Sequence, residues 1–342
     1  MKKKILSLYL VFSMLQLVVF SQNTAWAAPG VPISAPSAIL LDASTQRIVF
    51  SKTPHQRRPP ASTTKLLTAV LAVENLGLDR VVTIPRFVES IEPSKAYLRP
   101  GEQYRVGDLV RASLISSAND AAEVLAVAVA GSSPRFAGIM NQKARSLGAK
   151  RSHFVRASGL PARNQYSTAY DMALIMRAAQ KYPFLVQALR TRSLVIQSLG
   201  GRKIYLKNHN KMLWRQNPVV VGKTGWTRKG RHCFAGQISV YAKKVVVVLL
   251  GSHRLWRDLR TLVNYQFGLG LTRIRENRKI WARTETIRIQ TALTRAGFNP
   301  GPVDGDFGPS TVKAVEKFQA VHRLPSDGVV DSRTWRVLKR YL

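Results

Sequence analysis

The sequence predicts an α+β fold, in which an antiparallel sheet packs against a cluster of helices. This prediction depends on the order of the apolar runs, which begin as a β-hairpin, continue as helices, and end as strands and a last helix. Both ends of this region therefore contribute strands to one sheet. After residue 280, a weak 23-residue repeat predicts a separate small module of three short helices.

The strands are predicted from short apolar runs bounded by turn residues. Residues 38–41 and 47–50 surround a polar turn, which is typical of a hairpin. Residues 245–250 are continuously apolar, as expected for a strand that is covered on both faces. This last run begins at residue 244, and the other predicted strand runs are residues 81–84, 194–196, 203–206 and 234–240.

The helices are predicted from apolar residues at helical spacing. Residues 66–73 are apolar on nearly every face, so this helix is expected to lie inside the domain. Asp108 is the predicted cap of the following helix, and Ser167 or Thr168 caps a later one. After Pro183 the pattern changes to strand runs. The remaining predicted helices cover residues 108–115, 121–130, 133–147, 168–181 and 255–268.

Length and charge limit the possible functions. The chain has 342 residues, 45% of them hydrophobic, which suffices for one large domain and a small one. Its formal net charge is +35, from 53 Lys and Arg against 18 Asp and Glu. Such a basic chain is expected to meet an anionic partner: nucleic acid, a membrane surface or an anionic polymer. The module from residue 281 carries only +4, so this partner should face the large domain.

The N-terminus favours export. Three lysines at residues 2–4 precede an apolar run at residues 5–20, which is shorter than the roughly 20 residues of a membrane span. Ala25-Trp26-Ala27 then offers a cleavage site, so the segment is predicted to be a secretory signal peptide, with an uncleaved anchor as the alternative. An exported protein does not meet the genome, which excludes nucleic acid. The remaining candidates for the anionic partner are a wall polymer and a membrane surface. The expected location is a periplasm or a cell wall.

The first candidate for chemistry opens the apolar helix. Ser62 and Lys65 are three residues apart, so a helical turn places the hydroxyl and the amine on one face. Burial favours the neutral form of a lysine, and a neutral amine can accept a proton from a serine hydroxyl. A helix cap followed by a solvated lysine explains the same pattern, which is too short to decide alone.

Two further motifs make the signal strong. Ser117 and Asn119 lie at a predicted helix–helix turn, and Lys223, Thr224 and Gly225 precede a late strand. Each motif by itself could be a cap or a loop. The conjunction is a strong signal in one exported chain: Ser-x-x-Lys opens a buried helix, Ser-x-Asn follows about 50 residues later, and Lys-Thr-Gly stands before a late strand.

With these motifs, residues 36–270 resemble the serine-type D-alanyl-D-alanine carboxypeptidases, the low-molecular-mass penicillin-binding proteins. The resemblance implies a β-lactamase/transpeptidase-like fold, which agrees with the predicted α+β order. Its matching stretches are residues 38–50, 60–65, 116–122, 158–160, 167–169, 208–210 and 221–227. Residues 284–340 resemble the peptidoglycan-binding module of many wall enzymes, through Asp304-Gly305, Phe307-Gly308, Phe318-Gln319 and Asp327-Gly328.

The resemblances divide the chain into five expected segments. They are a signal peptide at 1–27, a linker at 28–36, a catalytic domain at 37–270, a linker at 271–283 and a peptidoglycan-binding domain at 284–342. The last domain is expected to attach the enzyme to the wall, in place of the membrane tether of many relatives.

The resemblance implies catalytic roles on a peptide that ends in D-Ala-D-Ala. Ser62 would attack the penultimate carbonyl and form an acyl-enzyme, which water would hydrolyse after D-alanine leaves. Lys65 would act as general base. Ser117 would relay the proton to the leaving amine, and Asn119 would bind the substrate backbone and position Lys65.

The resemblance also implies the substrate-binding residues. Lys223 and Thr224 would receive the terminal carboxylate, and Gly225 would let the peptide lie against its strand. The N–H groups of Ser62 and Trp226 would form the oxyanion hole. The implied partners are peptidoglycan as substrate and β-lactams as covalent inhibitors.

Three other functions remain open. A D,D-endopeptidase would cut peptide crosslinks with the same residues. A β-lactamase would share two motifs but needs a carboxylate to activate water, and no Glu-x-x-Leu-Asn stretch is found where it is expected. A wall-binding protein with an inactive catalytic domain is the third.

Several residues are expected to lie outside the chemistry. Cys233 is predicted to be a buried structural thiol, and His209 is also predicted to be structural. The six histidines form no metal-ligand spacing with Cys233 or the acids, so neither metal nor cofactor is expected. Arg156 stands where the family usually has asparagine. Arg254 and Arg257 flank the place of a carboxylate-binding arginine in relatives, and neither is assigned.

Overall fold

The computed structural model describes residues 31–214, 219–240, 243–267 and 281–342. The predicted signal peptide at 1–27 lies outside the described residues, as do residues 28–30 and 271–280 of the two predicted linkers. Within the described ranges, no helix combines the length and the apolar character needed to cross a bilayer.

Strands and helices follow the predicted order, with the helices in the middle of the main region. The strands are β1 (Ser37–Asp42), β2 (Ile48–Lys52), β3 (Val81–Thr83), β4 (Gln103–Arg105), β5 (Ser193–Gln197), β6 (Lys203–Lys207), β7 (Val219–Thr227), β8 (Arg231–Val240) and β9 (Lys243–Ser252). The helices are α1 (Lys65–Leu76), α2 (Val106–Ile115), α3 (Asn119–Ala130), α4 (Ser133–Ser146), α5 (Ala169–Gln180), α6 (Pro183–Arg190) and α7 (Leu255–Phe267).

Five strands form one antiparallel sheet in the order β2-β1-β9-β8-β7. Strand β9 is continuously apolar from residue 245 to residue 250, where its side chains are divided between two cores. Val246 and Val248 contact the helical cluster, whereas Val245 and Val247 lie in the core shared with α7. The predicted α+β fold, with both ends of the region in one sheet, is confirmed.

Helix α1 is the centre of the helical cluster. It packs against α2, α3 and α5, and its residues from Lys65 to Ala72 are buried. This confirms the prediction of an interior helix. A short 3₁₀ helix, Ala61–Thr64, leads into α1 and packs against β7 and β8. The fold thus brings the start of α1 to the edge strand of the sheet.

Two local predictions about the helices were wrong. Helix α2 begins at Val106, directly after β4, so Asp108 lies in the first turn and does not cap the helix. There it accepts a hydrogen bond from Arg111 at 3.0 Å, and the helix dipole favours its negative charge. Helix α6 was not predicted. It begins at Pro183, where a proline is tolerated because the first N–H of a helix has no partner within it.

The C-terminal residues form three short helices, as predicted: α8 (Arg283–Arg295), α9 (Pro309–Val321) and α10 (Ser332–Leu338). The 23-residue repeat corresponds to a repeated hydrogen-bond arrangement. Gln290 bonds both residues of the first Asp-Gly turn, and Gln319 bonds both residues of the second. The buried core of this module contains Ile289, Leu293, Phe307, Val315, Phe318 and Leu338.

Candidate active site

Ser62 and Lys65 meet where the 3₁₀ turn Ala61–Thr64 passes into α1. Ser62 is half-buried, whereas Lys65, the first residue of α1, is fully buried. The Lys65 Nζ and Ser62 Oγ atoms are 2.9 Å apart. Ala61, which precedes Ser62, has a φ of 50°, in a region that residues with side chains seldom adopt. The i, i+3 spacing thus brings the hydroxyl and the amine within hydrogen-bond distance.

Two further acceptors orient the Lys65 amine. Nζ donates to Asn119 Oδ1 at 2.7 Å and to the backbone carbonyl of Ser158 at 2.6 Å. Both oxygens can only accept hydrogen bonds, so a neutral amine donates its two N–H groups to them. Its lone pair is then left for the Ser62 hydroxyl, which is the geometry that a base requires.

Electrostatics favour the neutral amine. Burial is the largest cause that holds the pKa of Lys65 well below its usual value, and the positive charge of Lys223 lowers it further. The charges of Glu123 and Asp120 oppose this shift. Lys65 is therefore able to accept a proton at a pH where an exposed lysine is charged.

Ser117 and Asn119 lie at the turn between α2 and α3, as the sequence predicted. Asn119 is the first residue of α3, and its Nδ2 donates to the carbonyl of Pro93 at 2.9 Å. This contact fixes the amide so that Oδ1 faces Lys65. Ser117 is 6% exposed and has a φ of 62°, in the left-handed region. Such strain at a non-glycine residue is concentrated at functional sites in proteins.

The Lys-Thr-Gly motif lies within β7, the edge strand that faces the Ser62 turn, and not before a strand as predicted. A Cβ on Gly225 would lie 2.8 Å from the Ser62 nitrogen, so only glycine allows this close approach. Lys223 is buried, and burial lowers its pKa to about 7. Thr224 is half-buried, and Trp226 is 58% exposed beyond the motif.

The main chain at Ala157–Ser158 was not predicted as part of the site. Its two carbonyls bind α1: that of Ser158 accepts from Lys65, and that of Ala157 accepts from Thr68 Oγ1 at 2.7 Å. Gly159 follows with a φ of +79°, and a Cβ there would lie 2.0 Å from the carbonyl oxygen of Ala61. A carbonyl contact leaves no side-chain signature, so the resemblance over residues 158–160 was the available signal.

Other singled-out residues take structural or peripheral positions. Cys233 is buried, and burial raises the pKa of its thiol to about 11, so it is a poor nucleophile. The asparagines beside His209 bond the backbone of neighbouring segments. Arg156 lies 3.5 Å from Glu92. In the part of the chain that the structure describes, no three His, Cys, Asp or Glu side chains are grouped as metal ligands.

Comparison with known proteins places this geometry in context. The sequence profile of the D-alanyl-D-alanine carboxypeptidase family, peptidase S11, matches residues 22–254. A peptidoglycan binding domain profile matches residues 283–338. A solved D-alanyl-D-alanine carboxypeptidase from Mycobacterium tuberculosis H37Rv superposes with a TM-score of 0.67 at 28% identity, covering 72% of this chain and 96% of that one.

Two curated relatives carry two different names. The D-alanyl-D-alanine carboxypeptidase DacF of Bacillus subtilis is 30% identical over 224 residues, which is 64% of this chain. The chain spans 57% of the length of that relative. The D-alanyl-D-alanine endopeptidase of Pseudomonas aeruginosa is 30% identical over 265 residues, which is 73% of this chain and 83% of the relative.

Proposed function

The chain belongs to the D-alanyl-D-alanine carboxypeptidase family, and from this premise we propose that it removes the terminal D-alanine from peptidoglycan stem peptides. The observation that carries the proposal is the amine of Lys65, which is buried and lies 2.9 Å from the Ser62 hydroxyl, with its pKa held well below the usual value by burial and by the charge of Lys223. A hydroxyl beside such a base is an activated nucleophile for acyl transfer.

The proposed reaction begins with the attack of Ser62 Oγ on the carbonyl of the penultimate D-alanine. The hydroxyl proton passes to Lys65 Nζ, and the N–H groups of Ser62 and Trp226 stabilise the oxyanion. When the peptide bond breaks, Ser117 relays a proton to the amine of the departing D-alanine. Water then attacks the Ser62 ester with Lys65 again as base, which frees the shortened peptide and restores the serine.

The peptide terminus would be recognised by β7. Lys223 as an ammonium, with Thr224, binds the terminal carboxylate. The absence of a side chain at Gly225 lets the peptide lie beside the strand as an added one. Asn119 binds the substrate backbone while its Oδ1 holds Lys65. The preference for a free carboxylate follows from the positive charge that Lys223 places in a buried site.

A D,D-endopeptidase is the second candidate, because a relative with that name is also 30% identical to this chain. Digestion of a pentapeptide muropeptide and of a crosslinked dimer, followed by mass spectrometry, separates the two activities. We expect loss of one D-alanine from the pentapeptide to be the faster reaction. Faster conversion of the dimer to monomers would favour the endopeptidase.

The C-terminal domain, proposed to span residues 284–342, is expected to hold the enzyme on the wall. Deleting residues 281–342 should reduce cosedimentation with isolated sacculi, because this part matches the peptidoglycan binding domain profile. D-alanine release from a soluble muropeptide should be unaffected, which provides the control for folding. If the shortened chain sediments as the full chain does, the proposed catalytic domain, residues 37–270, is by itself sufficient for binding to the wall through its positive charge.

The proposed location is outside the cytoplasm, since both matching families act on or bind the wall polymer. Cleavage of a signal peptide near Ala27 would deliver the chain there. The +35 net charge further supports contact with anionic wall polymer or a membrane surface. β-Lactams, which resemble an acyl donor for Ser62, are the proposed covalent inhibitors.

A further inference from the structure

A buried carboxylate behind the Lys65 amine takes no part in the reaction described above. Glu123 lies on α3, four residues after Asn119, so both side chains leave the same face of the helix. The residue is 6% exposed. Burying a carboxylate is costly unless it is hydrogen-bonded or paired with a cation, so its partners indicate its task.

Glu123 is joined to Lys65 through one residue of the main chain. Its Oε1 accepts a hydrogen bond from the backbone N–H of Ser158 at 3.0 Å, and its Oε2 accepts one from Ser133 Oγ at 3.4 Å. The carbonyl of the same Ser158 accepts from Lys65 Nζ at 2.6 Å. The position of this carbonyl, and with it the direction of the amine, therefore depends on Glu123.

Glu123 also belongs to a buried group of four titratable residues. Lys65 and Lys223 are the amines, and Asp120 and Glu123 are the carboxylates; none is more than 6% exposed. Asp120 is held by the backbone N–H groups of Ala96 and Leu98 at 3.0 and 3.1 Å. The two anions raise the pKa of Lys65, against burial and the charge of Lys223.

His209 is one more titratable group that the two lysines affect. Burial lowers the pKa of His209, and the charges of Lys223 and Lys65 lower it further. Because His209 is present in every variant compared below, it does not account for a difference between them.

We propose that Glu123 is a positioning residue, which fixes the Ser158 main chain beneath the Lys65 amine and supplies a negative charge that opposes the effect of Lys223 on that amine. This inference rests on the proposed function, because Glu123 has this task only if Lys65 is the base. A base must be unprotonated before the reaction and must still bind a proton well in the transition state. The negative charge of Glu123 keeps Lys65 a strong enough base to bind the Ser62 proton in the transition state, while burial and Lys223 favour the unprotonated amine before the reaction.

The test is the pH dependence of acylation of the full chain by a fluorescent penicillin. Glu123→Gln keeps an oxygen that accepts from the Ser158 N–H but removes the charge. Without the charge Lys65 loses its proton at lower pH, so the acidic limb of the profile should move to lower pH by roughly one unit. The plateau should fall, because a weaker base accepts the Ser62 proton less readily.

A matched control is Glu74→Gln, which removes the same charge at the other end of α1. Glu74 is paired with Lys143 at 2.6 Å near the surface. Its profile should coincide with that of the parent chain. Glu123→Asp keeps the charge but retracts the carboxylate from Ser158. We therefore expect the acidic limb of its profile at the same pH as in the parent chain, with a lower plateau.

The outcomes separate this inference from the function on which it rests. Coincident profiles for the parent and Glu123→Gln would overturn the role of Glu123 while leaving the function intact. A parent chain that is never acylated would overturn the function itself. If Glu123→Gln does not fold, Glu123→Asp decides: a parental limb with a lower plateau supports the role, and a parental rate at every pH overturns it.

Discussion

Replacing Ser62 by alanine should abolish D-alanine release and covalent labelling by fluorescent penicillin while the chain stays folded. In the proposed reaction the hydroxyl oxygen is the atom that becomes acylated, and loss of an active-site nucleophile typically costs more than about 10⁴-fold in rate. The side chain is half-buried and loses only one oxygen, so its thermal midpoint should stay close to that of the parent. Residual labelling and the midpoint are measured on the same preparation.

The matched control is Ser193→Ala, which removes an exposed hydroxyl on β5. This variant should be labelled at the parental rate. Labelling of Ser62→Ala at a comparable rate would place the nucleophile elsewhere.

Replacing Lys65 by alanine should lower the acylation rate by about 10²–10⁴-fold, the contribution typical of a general base. The Ser62 hydroxyl remains, but the other groups that contact Lys65 Nζ are the Asn119 amide oxygen and the Ser158 carbonyl, and neither can take up a proton in this range of pH. The residual rate should also lose the acidic limb that the titration of Lys65 gives the parent. Stopped-flow or gel-based labelling from pH 5 to pH 10 measures both effects.

Lys150→Ala, at an exposed position after α4, is the control for loss of a lysine. It should leave the rate and its pH dependence unchanged. If the acylation rate of Lys65→Ala is within a few-fold of the parental rate, Lys65 is not the general base.

The sequence predicted the fold well where periodicity and burial agree. Residues 245–250 were predicted to be covered on both faces, and β9 indeed divides its side chains between two cores. Helix α6 was missed because Pro183 can equally end a segment or occupy the first turn of a helix. Asp108 was misplaced because β4 runs directly into α2, so no capping residue separates them.

The spacing of Ser62 and Lys65 predicted that their side chains meet, and the two atoms lie 2.9 Å apart. Ser117 and Asn119 became candidates only together with the other motifs. The fold also brings Gly225 against the Ser62 turn. Ser158 acts through its carbonyl, which any residue possesses. The proposed role of Glu123 was not predicted, because α3 was expected to begin at residue 121 and in fact begins at Asn119, so the i+4 relation between Asn119 and Glu123 was not visible.

The most direct test of the central claim is to locate the acyl group. The full chain is incubated with benzylpenicillin, digested with protease, and its peptides are sequenced by mass spectrometry. We predict a single adduct, on Ser62, whose formation stops D-alanine release from a pentapeptide muropeptide in equal proportion. An adduct on another residue, or D-alanine release that continues when Ser62 is fully acylated, would contradict the account.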